Sequence, residues 1–381
     1  MKTVAAVLRA TSQVRPYGTS NPLALEEVEL SGPRFGELLV RIEAAGVCHS
    51  DLSVVDGSRV RPLPMAIGHE AAGVVEEAGP GVRDVKQGDH VVLTFVPSCG
   101  HCVECSSGRP ALCVPGAAAN VAGDLLHGPG LLRDGAGSPI HHHLGVSGFA
   151  RHSVTARESA VLLPPDIPFT TAALFGCAVL TGAGAVINTA GVRPGQSVAV
   201  FGLGGVGLAA VMAATVAGAQ PIIAVDPVAA KRDVALELGA TQALAPNEAR
   251  EQIKGVTSGG VDFAFEAAGV PSVMEAAFKA TRRGGTAVAI GLPHPSKTIN
   301  LPALAFAGEG RSLIGSYMGS AAPQRDIPRL IRMWRAGKLP VEKLQTAVLG
   351  LEDVNQALEN LATGEAIRQI LLPVRPRNRP S

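Results

Sequence analysis

The sequence predicts an α/β fold in two parts, one β-rich and one built on a doubly wound parallel sheet. Three observations carry this. The chain has 381 residues, too many for one ordinary core. Its first 178 residues read as short β runs broken by turn signals, and from about Gly195 strands alternate with helical stretches.

In order along the chain, residues 37–44 and 73–77 are β runs, punctuated by Gly79-Pro80-Gly81 and Gly88-Asp89. Residues 116–145 are glycine-rich and read as a long structureless segment, the mark of a functional loop or flap. In the second part, 198–200 reads as a strand, 205–217 as a helix, 222–225 as a strand and 228–238 as a helix. Further strands are expected at 261–265 and 286–290. After about Gly319 the pattern is mixed, with helices near 328–336 and 352–361. No internal repeat or low-complexity linker interrupts it.

The 33 basic and 32 acidic residues leave a formal charge of +1, with no long run of either sign, so nucleic acid and anionic membrane are not expected partners. Only 375–379 is locally basic, and it reads as a frayed terminus. The start lacks an apolar signal segment. Residues 198–225 are uncharged and long enough to cross a bilayer. Glycines and Pro221 break them, and a strand–turn–helix–strand reading fits better. Cysteines spaced for metal without a signal segment place the protein in a reducing cytoplasm.

Gly202-Leu203-Gly204-Gly205-Val206-Gly207 matches G-x-G-x-x-G after a strand and at the opening of a helix. The first glycine permits the tight turn and the second lets the backbone approach a pyrophosphate. The third packs helix on strand, and the phosphates sit at the helix N-terminus. Asp226 ends the next strand, about 20 residues past the glycines. A carboxylate there accepts the ribose hydroxyls and disfavours a 2′-phosphate, so NAD is expected over NADP; the bland alternative is a helix cap. Lys231 and Arg232 lie close enough to soften the preference.

All six cysteines can be given a metal to hold. Cys99, Cys102, Cys105 and Cys113 form a C-x2-C-x2-C-x7-C cluster, which can close a tetrahedral zinc site of structural type. Cys48 and Cys177 lie far apart, with Gly68-His69-Glu70 between them. Two thiolates and an imidazole leave a fourth position open, as catalytic zinc sites do. The arithmetic gives two zinc ions per chain.

Taken together, Gly46-Val47-Cys48-His49-Ser50-Asp51, Gly68-His69-Glu70, the four-cysteine lobe, the 202–207 turn and Phe265-Glu266-Ala267-Ala268-Gly269 resemble the zinc-dependent medium-chain alcohol dehydrogenases over nearly the whole chain. The resemblance implies a GroES-like catalytic domain over 1–178 and 319–381, a Rossmann NAD-binding domain over 179–318, and a homodimer or homotetramer. It implies that Cys48, His69 and Cys177 hold the catalytic zinc, a Lewis acid toward the alcohol oxygen. Ser50 then resembles the hydroxyl that takes the proton. Asp51 looks like the carboxylate that orients His69, and Glu70 lies behind the metal. Thr181 resembles a nicotinamide contact, Ile290 a cofactor contact close to the substrate pocket, and Arg368 and His49 contacts to the pyrophosphate. Many relatives carry a histidine at the position of Ser53, so the proton exit is expected through water at Ser53 or through His49.

Phe95, Leu144, Leu292 and Tyr317 fall where the family lines its substrate pocket, with Arg59 and His143 beside them. Their character suits aromatic or medium-chain primary alcohols and their aldehydes. Two enzyme alternatives keep the same site: a dehydrogenase that never releases its NAD(H), and a glutathione-dependent formaldehyde dehydrogenase. The latter's acidic residues are missing near Arg59. The non-enzyme alternative is an NAD-binding protein with structural zinc only.

Overall fold

A computed structural model describes residues 1–374, so the basic tail at 375–379 lies outside the described residues. The chain divides into two compact units, Met1–Cys177 with the segment from Gln345 onward, and Ala178–Leu344.

The first unit is β-rich, as its turn-punctuated sequence demands. Strands Lys2–Leu8, Leu23–Leu30, Leu132–Arg133, Pro139–His142 and Met65–Ala66 close a barrel. A seven-stranded sheet runs in the order Ala160–Leu163, His90–Leu93, Glu70–Ala78, Glu37–Val47, Arg368–Leu372 and Gln345–Gly350, with His152–Ala156 also pairing to Glu37–Val47. Along Glu37–Val47 the residues Leu38, Val40 and Ile42 point to one side, the period-two placement that buries a face. They pack with Leu52, Val75, Leu93, Phe149 and Leu371 in the main core.

Residues 116–145, expected to be structureless, are not. Helix Val114–Ala122 begins with a proline in its first turn and stops at Gly123, whose φ of 72° is the left-handed ending that glycine allows. Two barrel strands follow. The alanines of this helix offer little hydrophobic period to read, which is why the segment looked like a loop.

The second unit is a six-stranded, all-parallel sheet. Its strands Gln242–Leu244, Ile222–Val225, Val198–Phe201, Val261–Glu266, Thr281–Ala289 and Ser312–Gly315 lie in the order 3-2-1-4-5-6 counted along the unit. That is the order of a doubly wound dinucleotide fold. Val198–Phe201 and Ile222–Val225 are buried throughout, so their apolar runs are uninterrupted. Residues 198–225 are therefore strand, turn, helix Gly205–Val216 and strand. No described helix is long and apolar enough to cross a membrane.

The domain boundary read at Gly319 falls inside this unit. The turn Met318–Ser320 packs on helix Ala178–Gly184, where a β-carbon on Gly319 would press on Leu180 O and on Gly184. Helix Pro323–Arg335 follows, starting earlier than expected because Pro323 takes the first-turn position and Pro328 is carried inside. Helix Ala178–Gly184 continues as a π-helical stretch, Ala185–Ala190.

Candidate active site

In the first unit, Cys48 follows strand Glu37–Val47 and caps helix His49–Val55. The Cys48 N–H donates to Asp51 Oδ2 at 2.9 Å, which fixes the first turn. His69 precedes strand Glu70–Ala78 and follows Gly68, whose φ is 98° and whose missing side chain lets Phe149 pack against it. Cys177 follows Gly176, whose missing β-carbon leaves room for Leu93 O.

These three distant sequence positions converge. One donor atom each from Cys48, His69, Glu70 and Cys177 lies within 4.8 Å of the others, and all four residues are buried. His69 Nε2 and both Glu70 carboxylate oxygens are buried without a hydrogen-bond partner. Buried polar atoms are seldom left so, and a bound cation satisfies them. The two sulfurs and the imidazole nitrogen fit zinc with a fourth position left for substrate, and the Glu70 carboxylate lies close by.

Arg368, on strand Arg368–Leu372, brings a buried guanidinium to the same place. Its Nη1 donates to Val47 O at 3.2 Å and its Nη2 to Cys48 Sγ at 3.4 Å, with Nε 3.8 Å from Glu70 Oε2. The group expected on a cofactor phosphate is thus engaged with the sulfur and the carboxylate. Burial pushes the Glu70 carboxyl up to about 7, against the opposing pull of Arg368. The Cys48 thiol is held well below its ordinary range, first by a hydrogen bond from Cys177 and with help from Arg368.

Asp51 Oδ1 lies 2.8 Å from His69 Nδ1, so Nε2 is the ring nitrogen left to face the sulfurs. His143 is buried edge-on to His69, with ring centroids 5.5 Å apart, and Phe95 meets His69 the same way at 5.6 Å. Leu144 is buried beside them in sequence, and Arg59 is half-buried. Ser50 is half-buried in the first turn of the helix, and its carbonyl accepts the Ser53 hydroxyl at 2.9 Å. His49 is exposed.

Cys99, Cys102, Cys105 and Cys113 form a second cluster, their sulfurs within 4.8 Å of one another. The Cys102 N–H points to Cys99 Sγ at 3.4 Å, and the N–H groups of Cys99 and Gly116 point to Cys113 Sγ at 3.3 and 3.4 Å. Backbone N–H groups aimed at sulfur favour thiolates, and four of them fit a closed zinc shell.

In the second unit Gly202 has φ 91°, and a β-carbon on Gly207 would collide with Gly202 O, so both glycines are sterically required. Gly204 caps the helix that Gly205 opens, with Val206 half-buried behind it. Asp226 is buried and does two jobs. Its Oδ2 accepts the Leu203 N–H at 2.8 Å, bracing the glycine turn, and its Oδ1 accepts the Val228 N–H at 2.9 Å. Lys231 lies half-buried on helix Ala229–Glu237, and Arg232 Nη1 bonds Asp226 O and Pro227 O. Thr181 Oγ1 is buried without a partner. Ile290 is buried, while Leu292 and Tyr317 are exposed.

Glu266, quoted in a motif without a role, is the residue the sequence reading missed. Its Oε1 accepts the N–H groups of Ala268, Gly269 and Val270 at 2.8, 2.6 and 3.4 Å, and its backbone O accepts those of Ile290 and Gly291. It ties together two turns beyond adjacent parallel strands, at the sheet edge where dinucleotides bind. A strand-ending glutamate followed by a glycine turn was the available signal.

Residues 34–166 match the alcohol dehydrogenase GroES-like domain, and residues 205–335 the zinc-binding dehydrogenase family. The chain is 41% identical to geraniol dehydrogenase of Castellaniella defragrans, over 92% of this chain and 94% of that one. It is 40% identical to the NDMA-dependent alcohol dehydrogenase of Amycolatopsis methanolica, over 98% and 99%. The crystal structure of benzyl alcohol dehydrogenase from Acinetobacter calcoaceticus superposes with a TM-score of 0.89 at 31% identity, over 98% and 100%. The chain belongs to the zinc-dependent medium-chain alcohol dehydrogenases. It is an oxidoreductase of alcohols and aldehydes.

Proposed function

We propose that this chain is an NAD-dependent alcohol dehydrogenase with two zinc ions, interconverting aromatic or medium-chain primary alcohols and their aldehydes. The observation that carries the reading is the convergence of Cys48, His69 and Cys177, with the Nε2 of His69 buried and unpartnered among the sulfurs. Zinc there supplies a Lewis acid for the substrate oxygen. NAD supplies the hydride acceptor.

The chain's own residues do the rest. Asp51 holds His69 in the tautomer that frees Nε2. Ser50 Oγ takes the substrate hydroxyl proton. Because the Ser53 hydroxyl already donates to Ser50 O, the proton leaves through water or His49. Glu70 and Arg368 balance charge behind the sulfurs. The buried Phe95 and Leu144 exclude water and favour apolar substrates, in line with relatives named for geraniol and benzyl alcohol. Asp226 and the glycine turn hold the cofactor, Asp226 favouring NAD over NADP. The reading carries with it a homodimer or homotetramer in the cytoplasm, where the six free cysteines stay reduced.

A panel of primary alcohols with NAD and with NADP, run beside zinc counting by mass spectrometry, tests this. Turnover of aromatic or medium-chain alcohols with NAD and two zinc ions per chain is expected; no turnover with any alcohol overturns it. The relative named as NDMA-dependent favours one variant reading, in which NAD(H) stays bound and an added acceptor reoxidises it. Absorbance of reduced nicotinamide in protein freed of loose coenzyme separates the two.

A further inference from the structure

His143 is a buried histidine that the mechanism above does not use. The segment 65–69 and the turn 143–149 are laced together. The His143 N–H donates to Ala66 O at 3.2 Å and to Ser147 Oγ at 3.0 Å, and Ser147 Oγ donates to Ala66 O at 2.9 Å. Gly148 N and Phe149 N donate to Gly68 O and Ile67 O, both at 3.0 Å. This lacing fixes the His143 backbone relative to His69, two residues beyond Ile67.

Its ring is fixed as well. It stands edge-on to His69, and its Nδ1 lies 3.3 Å from Asp51 Oδ1, the same oxygen that His69 Nδ1 meets at 2.8 Å. The 3.3 Å contact is off the line of a good hydrogen bond, which leaves His143 Nδ1 buried without an aligned partner. Asp51 is fully buried and also accepts the Cys48 N–H. One carboxylate is therefore approached by two imidazoles and by the backbone of a thiol ligand.

We propose that His143 is a positioning residue for the catalytic metal: it donates from Nδ1 to Asp51, which shares its Oδ1 between the two imidazoles and so holds His69 and Cys48 in metal-binding register. The inference rests on the zinc reading above. A carboxylate braced from both sides cannot swing with the ring it orients, so losing one brace loosens the metal. Partners at this remove typically set metal affinity within 10- to 100-fold.

The test uses the whole enzyme, with cobalt(II) exchanged into the site for its visible bands, and follows metal release to a chelator. His143→Phe keeps an aromatic ring but no donor; His143→Asn keeps an N–H near the position of Nδ1. Release from the Cys48 site is expected to be about tenfold faster in His143→Phe, with altered cobalt bands, and close to wild type in His143→Asn. Release from the four-cysteine cluster serves as the folding control and stays constant. If His143→Phe releases metal at the wild-type rate, or if His143→Asn fails alongside it, His143 only fills space and the inference is overturned. Wild-type protein that binds only one metal would overturn the zinc reading itself, and this inference with it.

Discussion

Gly46 and Glu70 face each other in the pairing of two antiparallel strands, and a β-carbon on Gly46 would collide with the Glu70 carboxylate. The glycine makes the space in which a buried carboxylate lies behind the sulfurs. Gly46→Ala should push Glu70 and Arg368 off their places. The expected cost is about 1–3 kcal/mol of stability, typical of overpacking, together with partial loss of metal. Adding Glu70→Ala removes the obstacle, so the double variant should lose less stability than the two single changes summed. Strict additivity in thermal denaturation would sink this reading.

The two cysteine clusters should separate experimentally. Cys177→Ser is expected to leave one zinc per chain, lower kcat on the order of a hundredfold or more, and change the melting temperature little. Cys105→Ser should also leave one zinc, but lower the melting temperature by at least about 5 °C, because a structural zinc contributes its binding energy to folding. Elemental analysis beside calorimetry decides the matter, and an unchanged zinc count in either variant refutes its assignment.

Asp226 braces the glycine turn through Leu203 N and opens the next helix through Val228 N. Removing the carboxylate strands two N–H groups, each at a cost of about 1–3 kcal/mol when buried. Asp226→Ala should therefore weaken NAD binding by about tenfold or more, and NADP binding by less. Titration calorimetry with each dinucleotide measures both; equal weakening of the two would mean that Asp226 supports the turn and does not select the ribose.

His142 gives stability a pH dependence. Burial, with the charges of Arg34 and His141 adding to it, pushes its pKa from 6.5 to about 4. Above 6.5 the ring is neutral folded and unfolded, and stability is unaffected. As pH falls from 6.5 to about 4, only the unfolded chain takes up the proton, so stability declines, by roughly 3 kcal/mol in all. Below about 4 this slope ends. His142→Gln should flatten denaturant midpoints over that window, and a slope as steep as wild type would exclude His142 as the source.

The fold was legible where side chains repeat with a clear period. The apolar runs at 198–201 and 222–225 and the glycines between them fit strand–turn–helix–strand better than a membrane span, and that is what they form. The candidate metal donors were legible through spacing for the four-cysteine lobe, but for Cys48, His69 and Cys177 through the count of thiols and the glycines beside them, with the resemblance adding to it. What stayed hidden depends on contacts remote in sequence. Nothing near Arg368 announces that its guanidinium meets Cys48 Sγ, because strand pairing, and not spacing, brings it there. His143 likewise reads as one of three consecutive histidines until the barrel strands set it beside Asp51. Residues 116–122 escaped because alanine-rich helices carry little amphipathic signal.

The strand Arg368–Leu372 lies directly beside Glu37–Val47, so the neighbour of Cys48 is supplied by residues more than 300 positions downstream. During synthesis Cys48, His69 and Cys177 all leave the ribosome well before that strand does. A nascent chain can gather its sulfurs early, yet the cation that faces them arrives only once the intervening unit has been made. A chain ended ahead of residue 368 would carry every one of those donors in its sequence, yet lack both the guanidinium that meets Cys48 Sγ and a strand of the main sheet.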